Sequence, residues 1–339
     1  MSDVRGRSVT ITEIARAAGV SVPTVSRVVN GRGDVAAATR ERVEALLREH
    51  GYRPPPRARS TRAGLLDLVF NDLDSPWAVE ILRGVEDVAH AAGAGTVVSA
   101  VHRTSDSARQ WLSNLQARGG DGVILVTSDL DPPLTEELRQ LAVPVVVVDP
   151  AGVPPYDVPT VGATNWAGGL AATEHLVELG HRRIALVGGP RGLLCSRARL
   201  DGYRAGLESA GLELDPDLVR EGDFYQESGY RLGAELLALP QPPTAVFAAS
   251  DQMALGVYEA VRRSGLRVPD DVSIVGFDDL ALAAWASPPL TTVRQPLAEM
   301  GALAARTVLA MAAGETADNP RVELATSLVV RESTAPPRA

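Results

Sequence analysis

Seven short apolar runs separate amphipathic segments over most of the chain, and this alternation leaves few folds open. The runs are "LLDLVF" (65–70), "TVVSA" (96–100), "GVILV" (122–126), "PVVVV" (144–148), "RIALVG" (183–188), "TAVFAA" (244–249) and "VSIVGF" (272–277). Strands that are apolar throughout are buried on both faces, which is the signature of parallel sheets covered by helices. Between the runs lie helical stretches such as "VEILRGVEDVAHAAG", "SARQWLSNLQARG", "TEELRQLA", "ESGYRLGAELLAL" and "QMALGVYEAVRRSG". The pattern repeats after residue 160, which predicts two similar α/β halves. Residues 65–335 are therefore expected to form a two-lobed body with parallel sheets. Ligands bind such sheets beyond the carboxyl ends of the strands, so the cleft between the lobes is the default site.

The strand ends carry polar residues. "VFND" ends in Asn71 and Asp72, "VVVVD" in Asp149, "VGATN" in Asn165 followed by Trp166, "FAASD" in Ser250 and Asp251, and "VGFDD" in Asp278 and Asp279. Such a set suits a hydroxyl-rich ligand, because each buried hydroxyl needs a partner. Aromatics are only 4% of the chain, yet Trp77, Trp166 and Phe224 fall just after strands or in loops. Flat rings against sugar faces account for that placement. The competing reading of each aspartate, Asp251 above all, is a cap on the following helix. Trp111, in mid-helix, reads as core.

Charge sets the first 63 residues apart. They hold 12 arginines and 6 acids, a net of +6 in a chain whose net charge is −9. A small basic head on an acidic body points to a head that meets polyanions. Within it, "TITEIARAAG" opens with Thr10 three residues before Glu13, a capping-box spacing, and Gly19 is placed to end the helix. Ser21 can cap a second helix over Val22–Asn30, with Pro23 in its first turn and Val25, Val28 and Val29 as its buried stripe. A third helix fits "ATRERVEALLREHG", with Val43, Leu46 and Leu47 inward. Helix, tight turn and helix is the helix-turn-helix plan, whose second helix enters the DNA major groove. On that helix Ser21, Thr24, Ser26 and Asn30 suit phosphate oxygens, and Arg27 can fork onto guanine. Val22 and Pro23 can read only shape or a thymine methyl.

These residues carry a resemblance. "TITEIARAAGVSVPTVSRVVNG" and "TRERVEALLREHGYRP" resemble the headpiece of the lactose/galactose repressor (LacI/GalR) family. "LDGYRAGL", "SDQMALGVYEAV", "RVPDDVSIVGFDD" and "PPLTTVRQP" resemble its core, which is similar to periplasmic sugar-binding proteins. The resemblance implies a headpiece over 1–52, a hinge over 53–64 and an effector-binding and dimerisation core over 65–335. It also implies DNA contacts from Thr10, Thr39, Tyr52, Arg57, Arg59 and Thr61 besides those above. Its implied effector residues are Arg199, Asp278, Ser250 and Phe224, with Asp72, Trp77, Asp149 and Trp166 around them. Two departures stand out. Ala36 occupies the third helix's usual capping position. Thr61 stands where relatives usually carry a leucine that wedges into the minor groove, and threonine is a poor apolar filler. A stiff Pro-Arg linker is the other reading of 53–64.

Other classes are disfavoured. A single cysteine, Cys195, allows no internal disulfide and no Cys-rich metal site. The five histidines show no metal spacing, and His175 and His181 read as polar surface at a helix end. No phosphate-loop, "GxSxG" or "HExxH" pattern appears, so neither an enzyme nor a cofactor is expected. With no secretory leader pattern, no ~18-residue apolar run and no terminal heptads, a cytoplasmic homodimer is expected, away from membranes. The resulting expectation is a repressor of sugar-catabolism genes, released from a palindromic double-stranded operator by a sugar or oligosaccharide. A purine- or other small-molecule-corepressed regulator and a sugar-binding protein without DNA binding are the alternatives.

Overall fold

The structure, a computed structural model, describes residues 11–29, 36–49, 64–102, 104–126, 132–152, 158–316 and 320–338. The chain divides into two compact units, Met1–Arg62 and Ala63–Ala339.

The first unit holds helices α1 (Ile11–Ala18), α2 (Val22–Val29) and α3 (Ala37–Glu49). Gly19, at φ 65°, turns the chain after α1, and the Val20 amide returns to the Ala15 carbonyl at 3.0 Å. That left-handed close is the standard glycine exit from a helix. Ile14, Ala15, Ala18, Val25, Val28 and Val43 are buried together, with Val20, Leu46 and Leu47 packed against them. At the start of α3, Ala36 supplies its carbonyl to the amides of Thr39 and Arg40, while its methyl group supplies no capping acceptor. Thr10, Asn30, Tyr52, Arg57, Arg59 and Thr61 lie outside the described residues, as do the side chains of Pro23, Ser26, Arg27 and Val29.

The second unit is built on two six-stranded sheets. Lobe one begins with β1 (Leu65–Phe70), α4 (Pro76–Ala91), β2 (Gly95–Ala100), α5 (Ser105–Arg118), β3 (Gly122–Val126), α6 (Pro132–Gln140), β4 (Val145–Val148) and β5 (Thr160–Ala163). Lobe two follows with α7 (Asn165–Glu178), β6 (Ile184–Gly188), α8 (Leu194–Ser209), β7 (Val219–Glu221), α9 (Gln226–Leu237) and β8 (Ala245–Ala248). It continues with α10 (Asp251–Arg263), β9 (Ser273–Asp278), α11 (Ala281–Trp285) and β10 (Thr291–Arg294). The chain then returns to lobe one as α12 (Leu297–Ala312) and β11 (Arg321–Leu324), and ends in lobe two with β12 (Ser327–Val329). The strand orders are β11-β5-β4-β3-β1-β2 and β12-β10-β9-β8-β6-β7, the same winding twice. All pairings are parallel except β10 with β12.

The two similar α/β lobes expected from the sequence are present, but each is built from separate stretches of the chain. The chain crosses between lobes three times, at residues 163–165, 294–297 and 324–327. The reason is α12, whose buried Met300, Ala304, Ala305 and Val308 complete the core under lobe one. The histidines are corrected. His181 is buried and holds Thr244 Oγ1 at 2.9 Å and the Ala335 carbonyl at 3.0 Å, while His175 Nε2 meets Thr334 Oγ1 at 3.0 Å. Both rings pin the C-terminal segment to lobe two, and burial lowers the pKa of each. Trp111 is core, as read.

Helices α4 and α12 approach too closely for side chains at their crossing. A Cβ on Gly84 would lie 1.8 Å from the Ala298 carbonyl oxygen, and one on Gly301 2.3 Å from that of Ile81. Backbone atoms cannot swing aside, so the helices must separate. Gly84→Ala is expected to lower stability by about 1–3 kcal/mol, read as a lower urea midpoint at unchanged slope.

Candidate effector cleft and DNA-reading helix

In each lobe the chain doubles back between the first and third strands, β1 against β3 and β6 against β8, which is the switch point where such sheets take ligands. Residues beyond those strand ends face each other across one cleft. Lobe one supplies Phe70, Asn71, Asp72, Ser75, Trp77, Val126 and Asp149, and lobe two Leu193, Cys195, Arg199, Asp223, Phe224, Tyr225, Ser250, Gln252 and Asp278. The cleft encloses about 750 Å3 including its open mouth, which lies in the range of small-molecule sites.

Arg199 forms the floor. It is 4% exposed and reaches inward from the second turn of α8. Its Nε donates to Asn165 Oδ1 at 2.9 Å and its Nη1 to the Ala249 carbonyl at 2.6 Å. The guanidinium lies 3.8 Å from the centre of the Phe277 ring and 5.5 Å from that of Phe224. Asp149 and Asp278 flank it. Burial raises the pKa of Asp149, and the Arg199 charge opposes that rise. Burial likewise pushes Asp278 up to about 7, against Arg199 and a 2.7 Å hydrogen bond donated by Gln295 Nε2. The Cys195 thiol beside Asp149 is pushed up to about 12 by burial, which makes it a poor nucleophile.

Several backbones here sit at positive φ: Asp149 at 48°, Phe224 at 75°, Asp278 at 120° and Asp279 at 58°. Non-glycine residues hold such angles only where the surroundings over-determine them. At Asp279 the determinants are Arg294 and Arg331, each 2.6 Å from its carboxylate. The adjacent aspartates therefore divide their roles, one lining the cleft and one locking the turn. Asp223 Oδ1 accepts the Tyr225 amide at 2.8 Å and the Ser228 hydroxyl at 2.5 Å, which shapes the loop that presents Phe224.

Asp72, Trp77, Asp149, Arg199, Phe224, Ser250 and Asp278 all meet in the cleft. Trp166 does not line the cleft itself. At the second position of α7 it is 48% exposed and lines an adjoining cavity that shares Asp149 and Cys195 with the cleft, while Asn165 beside it holds Arg199. Ser250 caps α10 by accepting the Met253 amide at 3.1 Å and donates to the Phe224 carbonyl at 2.9 Å, so its hydroxyl is engaged. Asp251 is not the α10 cap. It accepts the Leu280 amide and the Thr292 hydroxyl, and joins β9, β10 and α11. Two residues outside the predicted effector set, Tyr225 and Gln252, bridge the lobes. Tyr225 Oη donates to Asp72 Oδ1 at 2.8 Å, and Ser75 Oγ to Gln252 Oε1 at 3.1 Å.

In the head, Ser21 caps α2. Its Oγ lies 2.8 Å from Thr24 Oγ1 and accepts the Thr24 amide at 3.3 Å. Ser21 and Val22 are exposed, whereas Thr24 and Thr39 are half-buried. Among the described residues no cluster fit for a metal ion occurs, and no helix is long and apolar enough to cross a membrane.

Comparison with known proteins places both units. Residues 10–55 match the description "Bacterial regulatory proteins, lacI family", and residues 173–334 match "Periplasmic binding protein-like domain". The HTH-type transcriptional regulator CelR of Thermobifida fusca is 40% identical over 97% of this chain and 99% of its own. The chain belongs to the LacI family. Among solved structures, a CelR–cellobiose complex matches with a TM-score of 0.75 at 39% identity, over 96% of this chain and 99% of that one. The lac repressor dimer bound to operator and the anti-inducer ONPF matches at 0.71 with 32% identity, over 97% and 100%. This LacI-family protein is accordingly a helix-turn-helix transcriptional regulator and not an enzyme.

The raised pKa of Asp278 has a measurable consequence. Between 3.8 and about 7 the native state keeps a proton that the unfolded chain has lost, so stability falls as pH rises through that window. Asp278→Asn removes this titration. Its melting temperature is expected to decline less steeply than wild type between those pH values, as followed by calorimetry.

Proposed function

We propose that this LacI-family regulator is a cytoplasmic dimeric repressor that leaves a palindromic operator when a neutral sugar fills the cleft. One observation carries the reading. The buried guanidinium of Arg199 is flanked by Asp149 and Asp278, with Trp77 and Phe224 in the same cleft. Paired donors from a rigid fork and facing carboxylate acceptors match vicinal hydroxyls. Indole and phenyl rings match the apolar face of a pyranose. Among the described residues, Asp72 and Asp223 join the partly neutralised Asp149 and Asp278 around one arginine, so the cleft offers an anionic ligand no net positive charge. The cellobiose held by the CelR relative supports a glucose-containing disaccharide.

Headpiece 1–52, hinge 53–64 and core 65–335 are the working divisions in this scheme. Two headpieces on one two-fold axis bury enough DNA surface for tight binding, where one alone does not. The ligand acts only through a difference in its affinity for two lobe arrangements. That difference passes through lobe one to the hinge.

Two measurements test this reading. Arg27→Ala should weaken operator binding by about 1–3 kcal/mol and relax preference at one symmetric base pair, while Thr24→Ala weakens all sequences alike. Unchanged base preference in a binding-site selection would remove Arg27 from the groove. In the core, cellobiose should weaken wild-type DNA binding by about 5–150-fold. Asp278→Ala should abolish that response with sugar-free DNA affinity retained. A variant that still releases DNA at wild-type cellobiose concentrations would falsify the assignment of the cleft.

A further inference from the structure

Helix α8 borders a second cavity, set against the β6–β7 edge of lobe two. Gly188, Gly189, Arg191, Ser196, Arg197 and Arg220 line it, with the Glu221 carboxylate at its rim. Residues 195 and 199 of α8 face the cleft, whereas residues 196, 197 and 200 face this cavity. The cavity encloses about 320 Å3 including its open mouth, against about 750 Å3 for the cleft.

Its floor is a buried hydroxyl. Ser196 is 5% exposed, and its Oγ has no hydrogen-bond partner among the described residues. Burying a hydroxyl without a partner is unfavourable, so such a group marks a place where a ligand atom belongs. The mouth is cationic. Arg191 pairs with Glu221 at 3.1 Å, and Arg220 reaches Glu235 at 3.6 Å. Arg197 is exposed and makes no side-chain hydrogen bond or ion pair with a described residue. Three guanidinium groups thus surround one lining carboxylate, on a body whose overall charge is strongly negative. Ser196 also lies in the first turn of α8, where the helix end favours negative charge.

We propose that this cavity is a second ligand site, for a phosphate group. One phosphate oxygen sits on Ser196 Oγ, and the others take forked hydrogen bonds from Arg197 and Arg220. The cleft offers such an ion no net positive charge, so the two sites sort ligands by charge. They also touch. A Cβ on Gly189 would fall 2.1 Å from the Phe224 ring and 2.6 Å from Ser196 Oγ, so the ring lining the cleft borders the phosphate floor. Phosphate held at Ser196 therefore biases the position of Phe224, and binding at the two sites is coupled with a reciprocal sign.

Isothermal titration of the full chain in phosphate-free buffer at fixed chloride tests this, with inorganic phosphate and glucose 6-phosphate as probes. Saturable binding is expected with a dissociation constant at or below about 1 mM for at least one probe. Binding of both probes identifies free phosphate as sufficient, and binding of glucose 6-phosphate alone identifies a phosphorylated metabolite. Arg197→Gln, on the surface and outside the cleft, should weaken binding about tenfold or more, and Ser196→Ala should also weaken it. The proposal is overturned if neither probe binds saturably. It is equally overturned if both variants, shown folded by unchanged melting, bind as wild type does, since the arginine-rich head would then be holding the ion.

Discussion

The cleft depends on one buried cation. A guanidinium removed from water is tolerated only when its donors are matched and its charge is answered. Around Arg199 the answers come from five separate elements. Asn165 begins α7, Ala249 follows β8, Phe277 and Asp278 close β9, Asp149 follows β4, and Phe224 precedes α9. Asp149 comes from lobe one and the others from lobe two, so the second flanking carboxylate arrives only when the lobes meet. The same partners leave the site prepared for hydroxyls. Once the protein has fixed the fork and its flanking carboxylates, a sugar has little reorganisation to cause.

Strain and closure follow from that centre. Asp278 and Asp279 hold consecutive positive φ angles because Gln295 fixes one carboxyl while Arg294 and Arg331 fix the other. Arg294 and Gln295 begin the second crossing between lobes, so the same turn that aims Asp278 also anchors a hinge strand. Across the mouth, the Tyr225–Asp72 and Ser75–Gln252 bonds hold the lobes directly. A ligand that takes over Asp72 or Ser75 exchanges one hydrogen bond for another, with a small net gain. The difference between lobe arrangements must therefore arise deeper, at Arg199 and Asp278, where an unmatched partner is expensive.

Much of this was legible because burial on both faces forces strands such as "GVILV" and "PVVVV" to be apolar throughout. Polar residues at their ends then stand out, and Asp72, Asp149, Arg199 and Asp278 meet as the alternation and the family resemblance implied. What escaped has physical causes. Helix α12 is apolar on nearly every face, so its buried stripe at Leu297, Met300, Ala304 and Val308 does not stand out from the residues between. Strands β7, β11 and β12 lie at sheet edges and alternate or carry charge, as "RVEL" does. Trp166 shares its strand-end setting with Asn165, and one step along the helix start places Asn165 against Arg199 and Trp166 in the adjoining cavity. His175 and His181 look like surface until a distant C-terminal segment covers them. No pattern local to residues 175–181 records that contact.

The division of charge explains why a regulator so acidic can hold DNA. With a net of +6 on residues 1–63, the body must carry −15 for the chain to total −9. Affinity for DNA phosphates therefore resides in the head, and the body adds repulsion. Repulsion of this kind weakens non-specific association more than operator binding, because base contacts add only at the operator. The same negative field surrounds the cleft. It admits neutral sugars without penalty and turns away the anions abundant in metabolism, unless a local cluster of arginines reverses its sign. Charge thus selects partners in both units, and the uncharged interactions, stacking and paired hydrogen bonds, are left to distinguish one neutral ligand from another.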